Sequence, residues 1–236
     1  PNTTEAYRND LSQFWGFLQE LRNGSVNGEY SWASVNLDLL NDYIVNLRGS
    51  KGYRDTTTAR KVAAIRSFFG FLFENGSITQ DPAELLGSPR VGRSLPKYLA
   101  KEEVSRLLGA AYRAGGNEAQ RDATILELLY ATGLRVGELV SLNVTDIDLQ
   151  ESYIRCWGKG AKERIAYLYP KALKELKNYL RQARIALLGA HKGETALFVN
   201  HRGERLTRQW VWNILKNYGK KAGIDQRITP HTLRHS

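Results

Sequence analysis

Two short stretches, far apart in the chain, carry the side chains that could do chemistry: ATGLRVGEL at 131–139 and ITPHTLRHS at 228–236. The second holds His231 and Arg234, three residues apart and so on one face of a helix. The first holds Arg135. Thr229 followed by Pro230 reads as a helix start, with Pro at the first helical position. The pair would then open at a helix N-terminus, where backbone donors and the dipole favour an anion. A third stretch, GKGAKER at 158–164, sets Lys159 between Gly158 and Gly160, with Lys162 and Arg164 close behind. Glycines allow a tight turn that can deliver a long amine into a groove. Singly, each piece has a bland reading: a solvated arginine, a structural histidine, a lysine-rich surface turn. Together, Arg135 and Arg234 offer paired guanidiniums to phosphate oxygens, Lys159 a proton donor and His231 an imidazole, a set suited to phosphoryl transfer.

The elements that must position these residues read as mainly α with a small antiparallel β-sheet. Asn2 with Glu5 forms a capping box, and Tyr7, Leu11, Phe14, Leu18 and Leu21 recur at helical spacing until Asn23 and Gly24. Asn36 caps a second helix with Leu37, Leu40, Ile44 and Leu47 inward, ended by Gly49. Thr56 to Thr58 open a third with Val62, Ile65, Phe69 and Leu72 on one face, ended by Asn75 and Gly76. Phe68, Phe69, Phe71 and Phe73 read as core rather than as a base-stacking surface. Residues 1–86 thus form a helical bundle without catalytic equipment. Residues 87–99, GSPRVGRSLPKYL, mix Pro, Gly, Ser and positive charge without periodicity and read as a basic connector. Residues 100–236 form a second domain, with helices at about 101–113 and 118–132. A hairpin follows, with strands Tyr153 to Trp157 and Arg164 to Tyr169 around the GKGAK turn. Pro170 then starts a helix with Leu173, Leu176, Leu180 and Leu187 inward, ALFVN at 196–200 reads as a short strand, and LTRQWVWNILKNYGKKAG as a helix.

Bulk composition narrows the classes. With 42% apolar residues, no long apolar run and a single cysteine, the chain reads as a soluble cytoplasmic protein without a disulfide or a structural zinc cluster. Cys156, beside Trp157 in a strand, is a core residue. The net charge of +10 points to a polyanionic partner. Its distribution says more: residues 1–90 hold 9 Lys and Arg against 10 Asp and Glu, and residues 91–236 hold 25 against 14. Within the neutral first domain, residues 48–66 still gather Arg48, Lys51, Arg54, Arg60, Lys61 and Arg66 against Asp55 alone. That stripe is either a groove lining that tracks a nucleic-acid backbone or a solvated helix face.

ATGLR with its following Glu, the GKGAKER turn and HTLRH occur in the order and at the spacings of the tyrosine recombinases, or phage integrases, and closely resemble their Xer-type members. The resemblance covers nearly the whole chain. It implies a SAM-like core-binding domain joined to an α+β catalytic domain, and a site-specific DNA recombinase that cuts and rejoins DNA through a 3′-phosphotyrosine link without metal or cofactor. By position, Arg135 and Arg234 would clamp the scissile phosphate, Lys159 would protonate the leaving 5′ oxygen, His231 would assist proton transfer at the nucleophile, and Glu138 would support Arg135 by hydrogen bonding. Lys162 becomes a phosphate contact, and Arg54, Arg60, Lys61, Arg66, Arg90, Arg93, Lys97, Arg164 and Arg208 are the further candidate DNA contacts. The partner would be duplex DNA with inverted-repeat arms, gripped at the nucleoid, with a tetramer on two sites for a full-length parent and a monomer or weak dimer for this chain. The process would be chromosome-dimer resolution or mobile-element integration. The family places its tyrosine on helices beyond HxxR, whereas this sequence stops two residues past Arg234, and Tyr218 precedes the motif. No nucleophile is therefore expected within this chain, and the alternative class is a DNA-binding module that grips a recombination site without chemistry.

Overall fold

The structure, a computed structural model, describes residues 2–22, 31–89, 92, 98–157, 163–225, 228–234 and 236. The chain divides into two compact units, Pro1–Ser94 and Leu95–Ser236.

In the first unit, α1 (Asn2–Arg22), α2 (Leu37–Arg48) and α3 (Asp55–Glu74) enclose an aromatic-rich core. Asn36 caps α2 through its side chain, which accepts from the Leu39 N–H at 2.9 Å, and Gly49 ends it. Phe14 is fully buried and packs edge-on against Tyr43 and Phe69, with centroids 5.0 and 6.2 Å away. These offset and edge geometries suit the ring quadrupole and add to area burial. Two readings need correction. Leu21, Phe71 and Phe73 are exposed, because with 3.6 residues per turn four phenylalanines in the stretch 68–73 cannot all face one core. Lys61, expected on a surface stripe, is 2% exposed: its Nζ donates to Asp10 Oδ1 at 2.9 Å and to Gln13 Oε1 at 2.6 Å, and lies over the Tyr53 ring. A buried ammonium must be paired, and Asp10, itself buried, is the partner.

The second unit packs α4 (Lys101–Tyr112) and α5 (Gly116–Thr132) against a three-stranded antiparallel sheet and the helices that follow it. α5 is the central helix, buried along most of its length from Ala119 to Leu129. The sheet runs β1 (Ile147–Asp148), β2 (Tyr153–Trp157), β3 (Glu163–Tyr167), with Tyr153 opposite Tyr167 at one end and Trp157 opposite Glu163 at the other. Ile154, Cys156 and Ala166 face the core, which places Cys156 as expected, its thiol pushed up by burial. The short β1 and the two-residue difference at the end of β3 depart from the sequence reading.

After β3 the chain forms α7 (Pro170–Asn178), one π turn (Tyr179–Ala183) and α8 (Arg184–Leu188). The π turn inserts a residue, so Ala172, Leu176, Tyr179, Ala183 and Leu188 are buried, while Leu173, Leu180 and Leu187 are only half-buried. Residues 196–200 form no strand ladder; Ala196 and Val199 make isolated bridges to Asn143 and Arg205. Arg184 and Arg205 replace the ladder by donating to the carbonyls of Glu194, Ala196 and Leu197 and of Val140 and Leu142. α9 (Arg208–Lys221), capped by Thr207, and α10 (Pro230–Arg234) complete the unit. No helix among the described residues is long and apolar enough to cross a membrane.

Candidate active site

The turn that presents Arg135 is built by its neighbours in sequence. Gly133 caps α5 at φ 57°, in the left-handed region that favours glycine, and its N–H bonds to Leu129 O at 3.1 Å. Leu134 is fully buried and anchors the turn. Arg135 then stands in extended backbone as the N-cap of α6 (Val136–Ser141), so its side chain leaves the core. Glu138, 6% exposed, does two jobs at once: Oε2 accepts from the Arg135 backbone N–H at 2.9 Å, and Oε1 accepts from Arg135 Nη1 at 2.8 Å. The same carboxylate takes Arg164 Nη2 at 2.8 Å from β3. Burial pushes the Glu138 carboxyl up, but the hydrogen bonds from Arg164 and Arg135 outweigh it and hold the group below its ordinary range. Glu138 is therefore an ionised anchor, and Arg135 is aimed rather than free.

The HTLRH stretch arrives at the same place. Thr229 and Thr232 cap α10 reciprocally, with Thr232 N–H to Thr229 Oγ1 at 3.0 Å and Thr229 N–H to Thr232 Oγ1 at 3.2 Å. Thr232 and Leu233 are buried, which turns His231 to solvent and lays Arg234 half-buried along the end of α5. A Cβ added to Gly133 would stand 3.5 Å from Arg234 Cγ. Two arginines almost a hundred residues apart in sequence thus flank one glycine turn. Ser236 holds the segment from its far side, its Oγ accepting from Leu99 N–H at 2.7 Å.

A third guanidinium adjoins them. Arg208 opens α9 and lies against α6, with Nη2 3.3 Å from where a Cβ on Gly137 would stand. Among the described residues neither Arg208 nor Arg234 has a carboxylate partner, and Arg135 and Arg164 share one. The region keeps excess positive charge, which an anion would neutralise.

The other expected contacts sort differently. Lys159 and Lys162, and Arg90, Arg93 and Lys97 of the connector, lie outside the described residues. Arg164, expected as a surface contact, is instead held by Glu138; strand alternation was the available signal, since Arg164 shares its face with the buried Ala166. In the first unit Arg54 is exposed at the start of α3, Arg60 binds Asp10 and Arg66 binds the Leu86 carbonyl. Tyr218 is buried and hydrogen-bonds to Asp122, with burial and that carboxylate pushing its hydroxyl up to about 12, so it offers no nucleophile.

A helical first unit and an α+β second unit, the latter with two arginines meeting at a glycine turn and a histidine exposed on the same short helix as one of them, define a class: the tyrosine recombinases. The model of the phage integrase family matches residues 97–236, and that of the phage integrase N-terminal SAM-like domain matches residues 1–76. The chain belongs to the phage integrase family, among its Xer-type tyrosine recombinases. Tyrosine recombinase XerC of Herpetosiphon aurantiacus is 46% identical over 235 residues, covering 100% of this chain and 74% of that protein. Tyrosine recombinase XerD of Pseudomonas aeruginosa is 39% identical over 235 residues, covering 100% and 76%. Among solved structures, XerH recombinase bound to palindromic difH substrate in a post-cleavage complex aligns at a TM-score of 0.75 and 22% identity over 100% of this chain and 66% of that one. That likeness concerns the fold. XerA recombinase aligns at 0.53 and 28% identity, covering 100% of this chain and 75% of that one.

Proposed function

We propose that this chain is the phosphate-gripping part of a site-specific DNA recombinase that cuts and rejoins strands through a 3′-phosphotyrosine intermediate. The observation that carries the reading is the meeting of Arg135 and Arg234 at Gly133, with Arg135 aimed by a buried, ionised Glu138. A module that only grips DNA has no need of a buried carboxylate to fix one arginine at a phosphate. In the reaction, a tyrosine oxygen attacks phosphorus, the bond to the 5′ oxygen breaks, and negative charge grows on the non-bridging oxygens. Arg135 and Arg234 stabilise that charge without reorganising at the moment of reaction. His231, at the exposed face of α10, handles the proton of the attacking hydroxyl, and Lys159 gives one to the leaving oxygen. The energy of the broken phosphodiester is kept in the phosphotyrosine, so rejoining needs no nucleotide.

The partner is duplex DNA, and the place of action is the nucleoid. The XerH relative is described as bound to a palindromic substrate, which fits a pair of inverted arms for this chain too. The active assembly is a tetramer on two sites, with chromosome-dimer resolution as the process. The test uses cleavage-competent protein with a nicked duplex that traps the covalent product. A protein–DNA adduct should accumulate, and should be lost in Arg135→Ala and Arg234→Ala while DNA is still bound. Adduct formation that survives both substitutions would refute the reading.

A further inference from the structure

A positively charged concavity lies at the end of the sheet where Tyr153 pairs with Tyr167. It is a groove of about 410 Å³ between the end of β3 and the α7 helix, with Leu168, Pro170 and Leu173 as its apolar part and Lys174, Lys177 and Arg181 as its cationic part. Arg164, which meets Glu138, is four residues before Leu168, or roughly 14 Å along an extended strand. The groove therefore belongs to a different end of the domain from the arginine site.

Three observations distinguish it from an ordinary basic helix face. First, the cations are selectively unpaired. Lys171, one turn earlier on α7, is held 3.5 Å from Glu127 and over the Tyr112 ring, whereas Lys174, Lys177 and Arg181 form no salt bridge among the described residues, and Lys174 acts on Glu175 only through its field. No acidic residue lines the groove, and Glu175, the carboxylate next in sequence to Lys174, is not part of it. Second, Tyr153 and Tyr167, next in the chain to the lining Ser152 and Leu168, pair at this ladder end with centroids 6.4 Å apart, and Tyr167 is 71% exposed. Third, Ser152, which also lines the groove, holds φ 58°, the one non-glycine positive φ among the described residues, and its carbonyl accepts from Leu168 N–H at 2.8 Å. A left-handed serine costs about 1 kcal/mol or more and persists where the surroundings impose it.

We propose that this groove is a docking site for a protein partner, specifically an acidic peptide segment carrying a leucine-type anchor. The anchor would sit on Leu168, Pro170 and Leu173, and its flanking carboxylates would meet Lys174, Lys177 and Arg181. Charge complementarity selects the sign of the partner, and the apolar floor beside the exposed tyrosine selects a peptide over a bare phosphate backbone.

The probe is a fluorescein-labelled (Glu-Glu-Leu)4 peptide, titrated by anisotropy against the whole chain. Binding should weaken at least tenfold in Lys174→Glu/Lys177→Glu/Arg181→Glu and also in the milder triple Gln variant, and should be unchanged in Arg135→Ala. The Gln-Gln-Leu counterpart should not bind, a (Glu)12 peptide should bind at least fivefold more weakly, and affinity for a 20-base-pair duplex should be the same in the triple variants as in the parent. Peptide affinity unchanged by either triple substitution overturns the proposal. A fall in duplex affinity matching the fall in peptide affinity also overturns it, and would make the groove a DNA-tracking surface. Melting curves of the two triple variants, which replace side chains without described partners, should match the parent.

Discussion

Replacing Glu138 by Gln removes the charge on which two arginines converge and leaves the shape almost intact. The carboxylate accepts three hydrogen bonds, from Arg135 Nη1, Arg135 N–H and Arg164 Nη2. Hydrogen bonds to a charged group are worth about 1.5–3 kcal/mol each when shielded. The Arg135 side chain is 55% exposed and that of Arg164 35%, so solvent screening brings each ion pair down to about 0.5–1 kcal/mol. A Gln also turns one NH2 donor toward a guanidinium, adding a part-buried mismatch. The sum is about 1–3 kcal/mol, or roughly 3–9 °C in the melting temperature of a domain of this size. The pH dependence has a definite sign. Folding holds the Glu138 carboxyl below its ordinary value of 4.5, so its stabilisation is complete above that pH and is lost as pH falls through the lower, folded-state value. Thermal unfolding followed by circular dichroism should show the parent and Glu138→Gln separated at pH 7 and converging as the pH drops below 4.5. Strand cleavage by Glu138→Gln should slow by about tenfold to a hundredfold at saturating DNA, because a displaced arginine no longer meets the transition state. Equal melting temperatures at pH 7, or a gap that does not narrow in acid, would refute the anchoring role of Glu138.

Other outcomes follow from the same reasoning. Lys61→Met should cost about 1–3 kcal/mol by leaving the buried Asp10 with Arg60 as its remaining cationic partner, while leaving the salt dependence of DNA binding unchanged; a shallower salt slope instead would return Lys61 to the DNA surface. Lys159→Ala should bind DNA normally and cleave about two to four orders of magnitude more slowly, with cleavage restored on a substrate whose leaving 5′ oxygen is sulfur. Rescue of Lys162→Ala by that substrate would exchange the two lysines' roles. The whole chain should bind duplex DNA more tightly than a fragment of residues 1–90, with a steep loss in salt, and equal affinities would exclude a contribution from the second unit.

The elements and the site were legible in the sequence where the controlling physics is local. Asn36, Gly49 and Gly133 end or start helices by caps and by φ that only nearby residues determine. Thr229 with Pro230 announces α10 in the same way. Glu138 beside Arg135 is also a local pairing, three residues apart. What the sequence left open depends on partners far along the chain. Lys61 looked like surface charge because Asp10 lies 51 residues away. The π turn at 179–183 arises from packing of Tyr179, whose hydroxyl donates to the Leu197 carbonyl at 3.0 Å, and helical periodicity cannot show an inserted residue. Arg208 against Gly137 joins two helices some seventy residues apart, and no motif marks it.

As proposed above, Arg135 and Arg234 grip one phosphate. A double-substitution cycle on duplex DNA affinity at fixed salt tests it directly, with Arg135→Ala, Arg234→Ala and the pair. Residues that share a partner should show a coupling of about 0.5–3 kcal/mol, the pair losing less than the sum of the single losses. Losses that add to within about 0.5 kcal/mol would mean two independent contacts and would contradict the account.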